Sequence, residues 1–184
     1  KNFSIPVVGV VPAVKPAALS TAKGKVAVVA TRQTASGPYL ERLIREFAGG
    51  REVVRIPVAD LVEFAEYRVL TAEPAERLAA VRRALGGLRD GEVGAVVLGC
   101  THFVLLEEEF RAVLTARVAL IDSREGVTRR IEFLLDRGNN RAGASRKPGG
   151  ALYLNGGAEE QERYRAFARR FCLRFGGLLE EEDA

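Results

Sequence analysis

Short apolar runs rich in β-branched residues alternate with amphipathic helical patterns along this chain, and this alternation restricts the folds open to it. The strand-like runs are VVGVV (7–11), KVAVVAT (25–31), EVVRIPV (52–58), GAVVLGC (94–100), VALIDS (118–123) and ALYLNG (151–156). The helical patterns are PYLERLIREFAGG (38–50), DLVEFAEY (60–67), PAERLAAVRRALGGLR (74–89), FVLLEEEFRAVL (103–114), EGVTRRIEFLLDR (125–137) and AEEQERYRAFARRF (158–171). Regular alternation of this kind predicts an α/β fold, a parallel sheet with helices on both faces.

The run at 94–100 is the most buried-looking of the strand-like segments. Strands of a parallel sheet that is covered on both faces read as nearly continuous apolar runs. Cys100, Thr101 and His102 come at its end, where a helical pattern begins. Ligands of open α/β sheets collect at the carboxyl ends of the strands, so this strand end is a candidate site.

The residue types at this strand end suit proton transfer. A cysteine beside the first amides of a helix tends to have a lowered pKa and more thiolate, and a histidine moves protons near neutral pH. Thr101 offers a hydroxyl and an amide to an anion, and Gly99 allows close approach of the backbone. The ordinary alternatives are a small buried hydrophobe for Cys100 and a cap or loop residue for His102. Taken together at a strand end, the residues favour a functional site.

Two other groups of polar residues follow predicted strands. Thr31, Thr34 and Ser36 cluster at the end of the run at 25–31 and in the polar loop at 32–37, just before a predicted helix begins. They suit either an anion cradle or plain capping of the next helix, and both interpretations stay open. Glu63 and Glu66 follow the run at 52–58, where either one is a candidate proton relay or part of a solvated face.

Composition excludes several classes of protein. No apolar run approaches the ~18 residues that a membrane span requires. Two cysteines are too few for a framework of disulfides, so a reducing cytosol is the expected location. The net charge of +4 comes from 28 basic and 24 acidic residues of interspersed sign. No nucleic-acid-binding motif is present, so no nucleic-acid or membrane partner is predicted. The segments at 136–150 and 180–183 are interpreted as a solvated linker and an acidic tail.

Neither the second cysteine nor the chain's metal-binding residue types indicate a further functional site. Cys172 falls in a helical pattern, and we assign it to packing on an apolar face. One histidine with one nearby cysteine cannot fill a tetrahedral metal site, so no metal is predicted. Methionine is absent from the 184 residues, including position 1, which suggests that Lys1 begins a fragment or a trimmed chain.

The segment LGCTHFVLL (98–106) closely resembles the second cysteine motif of the glutamate racemases, G-C-T-H-[FY]-P-L-L, with Val104 where that family has proline. Further segments resemble the same family: IPVVGVVPAVKPAA (5–18), KVAVVATRQTASGPYL (25–40), VALIDS (118–123) and LYLNG (152–156). The family belongs to the aspartate/glutamate racemase superfamily. The resemblance therefore implies parallel-sheet, Rossmann-like lobes and an isomerase.

The resemblance also implies a mechanism and a setting. Two cysteines act on opposite faces of the substrate without a cofactor, and Cys100 is one of them, the base toward L-glutamate. His102 assists Cys100 and, with Thr101, contacts the substrate, while Thr31 and Thr34 lie near it. Glu66 assists proton handling, with Glu63 as the alternative. The implied role is cytoplasmic supply of D-glutamate for peptidoglycan, with a homodimer left open.

The same resemblance implies how the chain is divided. Residues 21–120 correspond to a complete second α/β lobe, residues 1–20 to part of the first lobe, and residues 121–184 to a segment that returns to it. The family's Cys-Asn-Thr motif is not in this sequence, so these residues alone are expected to be inactive. A racemase of another substrate, such as aspartate or a hydantoin, and a non-catalytic anion-binding protein remain alternatives.

Overall fold

The computed structural model describes residues 5–89, 91–141, 143, 149–155 and 160–179. The chain folds into two compact units, Lys1–Asn139 and Asn140–Ala184. The site lies in the first unit. The assignment of 1–20, 21–120 and 121–184 to family lobes stays a prediction.

A four-stranded parallel sheet forms the centre of the first unit. Its strands are β1 (Lys25–Ala30), β2 (Val53–Pro57), β3 (Val93–Leu98) and β4 (Ala119–Ile121), in the order β2-β1-β3-β4. Every neighbouring pair is parallel, with Val28 opposite both Arg55 and Val97. The predicted parallel α/β fold is confirmed.

Helices connect and cover these strands. They are α1 (Val14–Ser20), α2 (Arg32–Ser36), α3 (Pro38–Phe47), α4 (Ala59–Tyr67), α5 (Pro74–Leu85), a 3₁₀ turn (Thr101–Leu106), α6 (Glu107–Val113) and α7 (Arg124–Arg137). Proline stands at the first position of both α3 and α5, where its missing N–H removes no helical hydrogen bond. Helices α3 to α7 lie where the periodic patterns predict them, although the 3₁₀ turn replaces the first part of the pattern at 103–114.

The core extends over both faces of the sheet because alternate strand residues point to opposite sides. One face holds Val26, Val28, Ala95 and Val97, packed with buried residues of α1 and α3. Ala27, Val29 and Val96 point the other way and are also fully buried. A strand buried on both sides must be apolar at every position, which explains the continuous runs in the sequence.

Two predictions about the N-terminal third are wrong. Residues 7–11 form no strand, and Val7 and Val10 are 74% and 53% exposed. A strand needs a neighbouring strand to satisfy its backbone, and the described sheet does not include this segment. The predicted polar loop at 32–37 is instead mostly the short helix α2, because Thr31 caps its first turn.

The order of the strands determines where the site lies. The chain passes from β1 to β2 on one side, and β3 then pairs with the opposite side of β1. The connections therefore leave the adjacent carboxyl ends of β1 and β3 in opposite directions. Such a switch point opens a crevice at the sheet edge, which is the usual ligand site of this architecture. Thr31 follows β1 there, and Cys100 lies two residues beyond β3.

The second unit contains β5 (Ala151–Leu154), α8 (Gln161–Arg170) and β6 (Arg174–Leu178), with β5 and β6 parallel. The glycine pair Gly176–Gly177 concealed β6 in the sequence. Cys172 lies beyond the end of α8, exposed and with φ +54°. Its assignment to a packed helical face is therefore wrong, because helical backbone has negative φ. Much of the predicted linker, 142 and 144–148, and the acidic tail at 180–183 lie outside the described residues.

Among the helices that the structure describes, none is long and apolar enough to cross a lipid bilayer.

Candidate active site

A cavity of about 450 Å³ opens at the carboxyl ends of β1 and β3. Its lining residues are Val10, Val11, Pro12, Thr34, Tyr39, Leu98, Gly99, Cys100, Thr101, Val104, Asp122, Ser123, Arg124 and Val127. They come from the switch point, from the segment before α1 and from the start of α7. The cavity is therefore built by chain segments that lie far apart in the sequence.

Cys100 reaches the cavity because Gly99 lets β3 leave the sheet in close contact with β1. The Gly99 N–H donates to the Val29 carbonyl at 2.8 Å. A Cβ at position 99 would lie 2.9 Å from that same oxygen and 3.1 Å from the Ala30 Cβ. Only glycine fits without displacing β1. Cys100 follows in extended backbone and is half-buried.

Cys100, His102 and Glu66 form a hydrogen-bonded series. The Cys100 Sγ lies 3.5 Å from His102 Nδ1, and His102 Nε2 lies 2.7 Å from Glu66 Oε2. In the tautomer that donates from Nε2 to the Glu66 carboxylate, Nδ1 is an acceptor and faces the thiol. The series can therefore take a proton from the sulfur.

Helix α4 brings Glu66 to this series by packing on the 3₁₀ turn that carries His102. The Glu66 side chain is 21% exposed and that of His102 is 36% exposed. Glu63 is one turn earlier on α4 and is exposed. Of the two glutamates that the sequence left open, Glu66 is the one that contacts His102.

Burial raises the pKa of the Cys100 thiol, and the backbone N–H of His102, which hydrogen-bonds to the sulfur, opposes that shift. The lowered pKa expected from the strand-end position is therefore wrong. Desolvation disfavours the thiolate more than one amide stabilises it. A bound cation, such as the ammonium group of an amino acid, would favour the thiolate again.

The three threonines have different surroundings. Thr101 is exposed at the cavity and Thr34 also lines it. Thr31 is not among the lining residues, and its hydroxyl accepts the Thr34 N–H at 3.1 Å as the cap of α2. The Thr31 hydroxyl also donates to Thr34 Oγ1 at 3.0 Å. Thr31 therefore caps α2 and fixes the position of Thr34.

Sequence reasoning missed the charged residues Asp122 and Arg124, which line the cavity with Cys100. Arg124 bonds to Asp122 with Nη2 at 2.6 Å and Nε at 3.0 Å from Oδ2. It also bonds to Glu107, the first residue of α6. Arg124 is the main cause that lowers the pKa of both carboxyl groups, with Arg111 contributing at Glu107. The signal available was Asp122 and Ser123 at the end of a predicted strand, a position equivalent to that of Cys100.

Within the described part of the chain, no three His, Cys, Asp or Glu side chains come together in a way that could hold a metal ion.

Known proteins of one family are similar to this chain. Residues 1–129 match the family described as Asp/Glu/Hydantoin racemase. A glutamate racemase of Sphingopyxis alaskensis is 44% identical over 140 residues, which are 73% of this chain and 51% of the relative. A glutamate racemase of Klebsiella pneumoniae is 47% identical over 138 residues, or 74% of this chain and 48% of the relative. The chain thus spans about half the length of these relatives.

Solved structures show the same similarity. Escherichia coli glutamate racemase in complex with L-glutamate and the activator UDP-MurNAc-Ala matches with a TM-score of 0.79 and 34% identity, covering 96% of this chain and 65% of that one. The Thermus thermophilus glutamate racemase in complex with β-chloro-D-alanine matches with a TM-score of 0.66 and 26% identity, covering 97% and 64%. Because the family match extends over well more than half of the residues, including the whole cavity, this chain belongs to the Asp/Glu/Hydantoin racemase family.

Proposed function

We propose that this chain carries one half of a site that interconverts L- and D-glutamate by proton transfer between two thiols, without a cofactor. The observation that carries the proposal is the Cys100–His102–Glu66 series at the switch point of a racemase-family sheet. Glutamate is the proposed substrate because the matching relatives are glutamate racemases. The proposed role is supply of D-glutamate for peptidoglycan in the cytoplasm.

In the proposed reaction, His102 Nδ1 first accepts the Cys100 proton, and Glu66 stabilises the imidazolium that forms. The Cys100 thiolate then takes the α-proton of L-glutamate and becomes a thiol, which leaves a carbanion at the α-carbon. A second thiol, supplied from outside these residues, gives a proton to the opposite face. One proton is removed and one is returned, and the configuration inverts. The reverse reaction uses Cys100 as the acid.

The polar cavity residues have proposed binding roles. Thr101 and Thr34 hold carboxylate oxygens of the substrate, since each presents a hydroxyl at the cavity. Thr31 acts beside them by fixing Thr34 through the cap of α2. We further propose that residues 21–120 form the second lobe of a two-lobed enzyme, with 1–20 and 121–184 belonging to the first.

The test joins this full chain to the part of the S. alaskensis glutamate racemase that lies outside the match; we refer to the product as the joined protein. L-glutamate is incubated with it in D₂O, and α-deuterium and D-glutamate are measured. We expect both to appear. Tight glutamate binding without deuterium in either enantiomer would leave a binding protein and contradict the proposed reaction.

A racemase of a different substrate is the second candidate, and the family description, which names Asp, Glu and hydantoin, favours keeping it. The strand-end thiol would serve any α-proton of comparable acidity. The same D₂O assay with aspartate and a substituted hydantoin separates the two. Faster deuterium incorporation into either compound than into glutamate would replace the proposed substrate and keep the proposed chemistry.

Glu66→Gln is expected to slow α-proton exchange in the joined protein by about tenfold to a hundredfold, below the range for loss of a base that contacts substrate. The neutral amide stabilises the imidazolium less well and can turn its NH₂ group toward Nε2, which reverses the tautomer. The matched control is Glu63→Gln, the same change one turn earlier on α4. Equal rates for the two variants would show that the contact of 2.7 Å with His102 has no role in catalysis.

A further inference from the structure

We infer that Arg124 and Glu107 form a positioning clamp that ties the 3₁₀ turn carrying His102 to the start of α7 at the cavity. The name clamp is used below for these two residues with Asp122 and Arg111. None of the four belongs to the Cys100–His102–Glu66 series. The inference rests on the proposed function only for the role of Cys100 as the reacting group.

The clamp connects the elements that follow the paired strands β3 and β4. Glu107 begins α6 directly after the 3₁₀ turn, and Arg124 begins α7 three residues after the last residue of β4. Arg124 Nη2 donates to both Glu107 Oε2 and Asp122 Oδ2. Thr101 and Val104 of the 3₁₀ turn line the cavity together with Asp122 and Arg124. The contact therefore ties the 3₁₀ turn to the start of α7 at the cavity.

Each member of the clamp is held in place by a second bond. The Arg124 backbone N–H donates to Asp122 Oδ1 at 2.7 Å, so the carboxylate that orients the guanidinium is itself fixed. Arg111 donates to Glu107 Oε1 from Nη2 at 2.8 Å and from Nε at 3.1 Å. The side chains of Asp122 and Glu107 are only 16% and 25% exposed. Orientation by several bonds makes a paired guanidinium more effective than an isolated surface pair.

Loss of the Arg124–Glu107 contact is expected to make Cys100 more accessible to an alkylating reagent. The sulfur is half-buried between the 3₁₀ turn and the cavity. If the turn moves away from α7, the reagent reaches the sulfur more readily. The measurement is the alkylation of Cys100 by iodoacetamide in the 184-residue chain, which requires no turnover. A chain that fails to racemise glutamate therefore still tests the clamp.

The assay uses the Cys172→Ser background, because Cys172 is exposed and would also react. The rate constant is taken at the high-pH plateau, where all of the thiol is ionised. Arg124→Gln and Glu107→Gln are each expected to raise this constant by about threefold or more, the scale of an ion-pair coupling between partly exposed groups. The double variant should react no faster than the faster single variant, because each single substitution already removes the same Arg124–Glu107 contact.

The two substitutions separate position from charge. Arg124→Gln removes a positive charge and Glu107→Gln removes a negative one, so a purely electrostatic effect on the thiolate would change the two rates in opposite directions. The control Arg129→Gln removes an exposed pair with Glu125 on the same helix, α7, and should leave the rate unchanged. Circular dichroism and thermal unfolding check that each variant is folded.

Additional measurements cover a variant that fails to fold. In the parent background, 1 M NaCl should raise the plateau rate by about the same factor, because salt screens the pair and iodoacetamide is uncharged. Arg124→Lys keeps the positive charge but lacks the planar guanidinium that bonds to two carboxylates. It should therefore react at a rate between those of the parent and Arg124→Gln. Unchanged rates, changes of opposite sign, or additive increases in the double variant would each overturn the clamp.

Discussion

Cys100→Ser in the joined protein is expected to abolish measurable deuterium incorporation into L-glutamate, with a loss on the order of 10³-fold. Serine is close in size to cysteine, so the cavity keeps its shape, while a hydroxyl is a far weaker acid than a thiol and gives almost no anion to act as base. The control is Cys172→Ser, which changes the other cysteine, exposed beyond α8, and should retain full activity.

The pH dependence of this exchange follows from the position of Cys100. Burial raises the pKa of its thiol, and the proposed base is the thiolate. Exchange at low glutamate concentration should therefore increase as the pH rises through the pKa of the free thiol, with a midpoint above the ordinary range for cysteine. A midpoint below that range would show that the site stabilises the thiolate.

The outcome that would contradict the proposed role of Cys100 is normal exchange by Cys100→Ser.

Phe103→Ala is expected to lower the free energy of unfolding of the 184-residue chain by about 3–5 kcal/mol. Phe103 is in the 3₁₀ turn, is fully buried, and lies 6.3 Å from the Phe110 ring, centroid to centroid. Its removal leaves a ring-sized cavity beneath the turn that carries His102. Urea unfolding monitored by circular dichroism measures the loss.

The matched control for that experiment is Phe133→Ala on α7. The same atoms are removed there, but Phe133 is 51% exposed, so we expect a loss of no more than about 1 kcal/mol. Similar losses at the two positions would show that the 3₁₀ turn is not anchored by its aromatic residue. In the joined protein, Phe103→Ala should also slow exchange, because the turn holds His102 against Glu66.

The main elements of the fold were predictable because they depend on local patterns. The continuous apolar runs of β1 and β3 and the helical spacing of Leu40, Leu43 and Phe47 reflect burial that repeats along the chain. The strand predicted at residues 7–11 failed for the opposite reason. A strand forms only beside a neighbouring strand. An apolar run shows that a segment is suited to a sheet, but not that a neighbouring strand is available. Helix α2 was missed because a five-residue helix has too short a pattern to be recognised.

The candidate site divides in the same way between sequence and structure. Cys100, Thr101 and His102 are consecutive, and a motif of local residues marks their strand end without any knowledge of the fold. The sequence by itself thus determined the parallel α/β class and the strand end at which the candidate thiol lies. It left Glu63 and Glu66 equal, because both are on one polar pattern and differ only in which one faces the 3₁₀ turn.

The tertiary structure alone decided the partners of that thiol. Glu66 is 36 residues from His102 in the chain, and Arg124 is 17 residues from Glu107. Those contacts exist because parallel strands need crossover helices, which bring residues distant in sequence to one edge of the sheet. The direction of the pKa shift of Cys100 was also beyond the sequence, since it depends on how much water the surrounding walls exclude. The types of residue at the strand end can be read from the sequence, whereas their contacts and burial depend on how distant segments pack together.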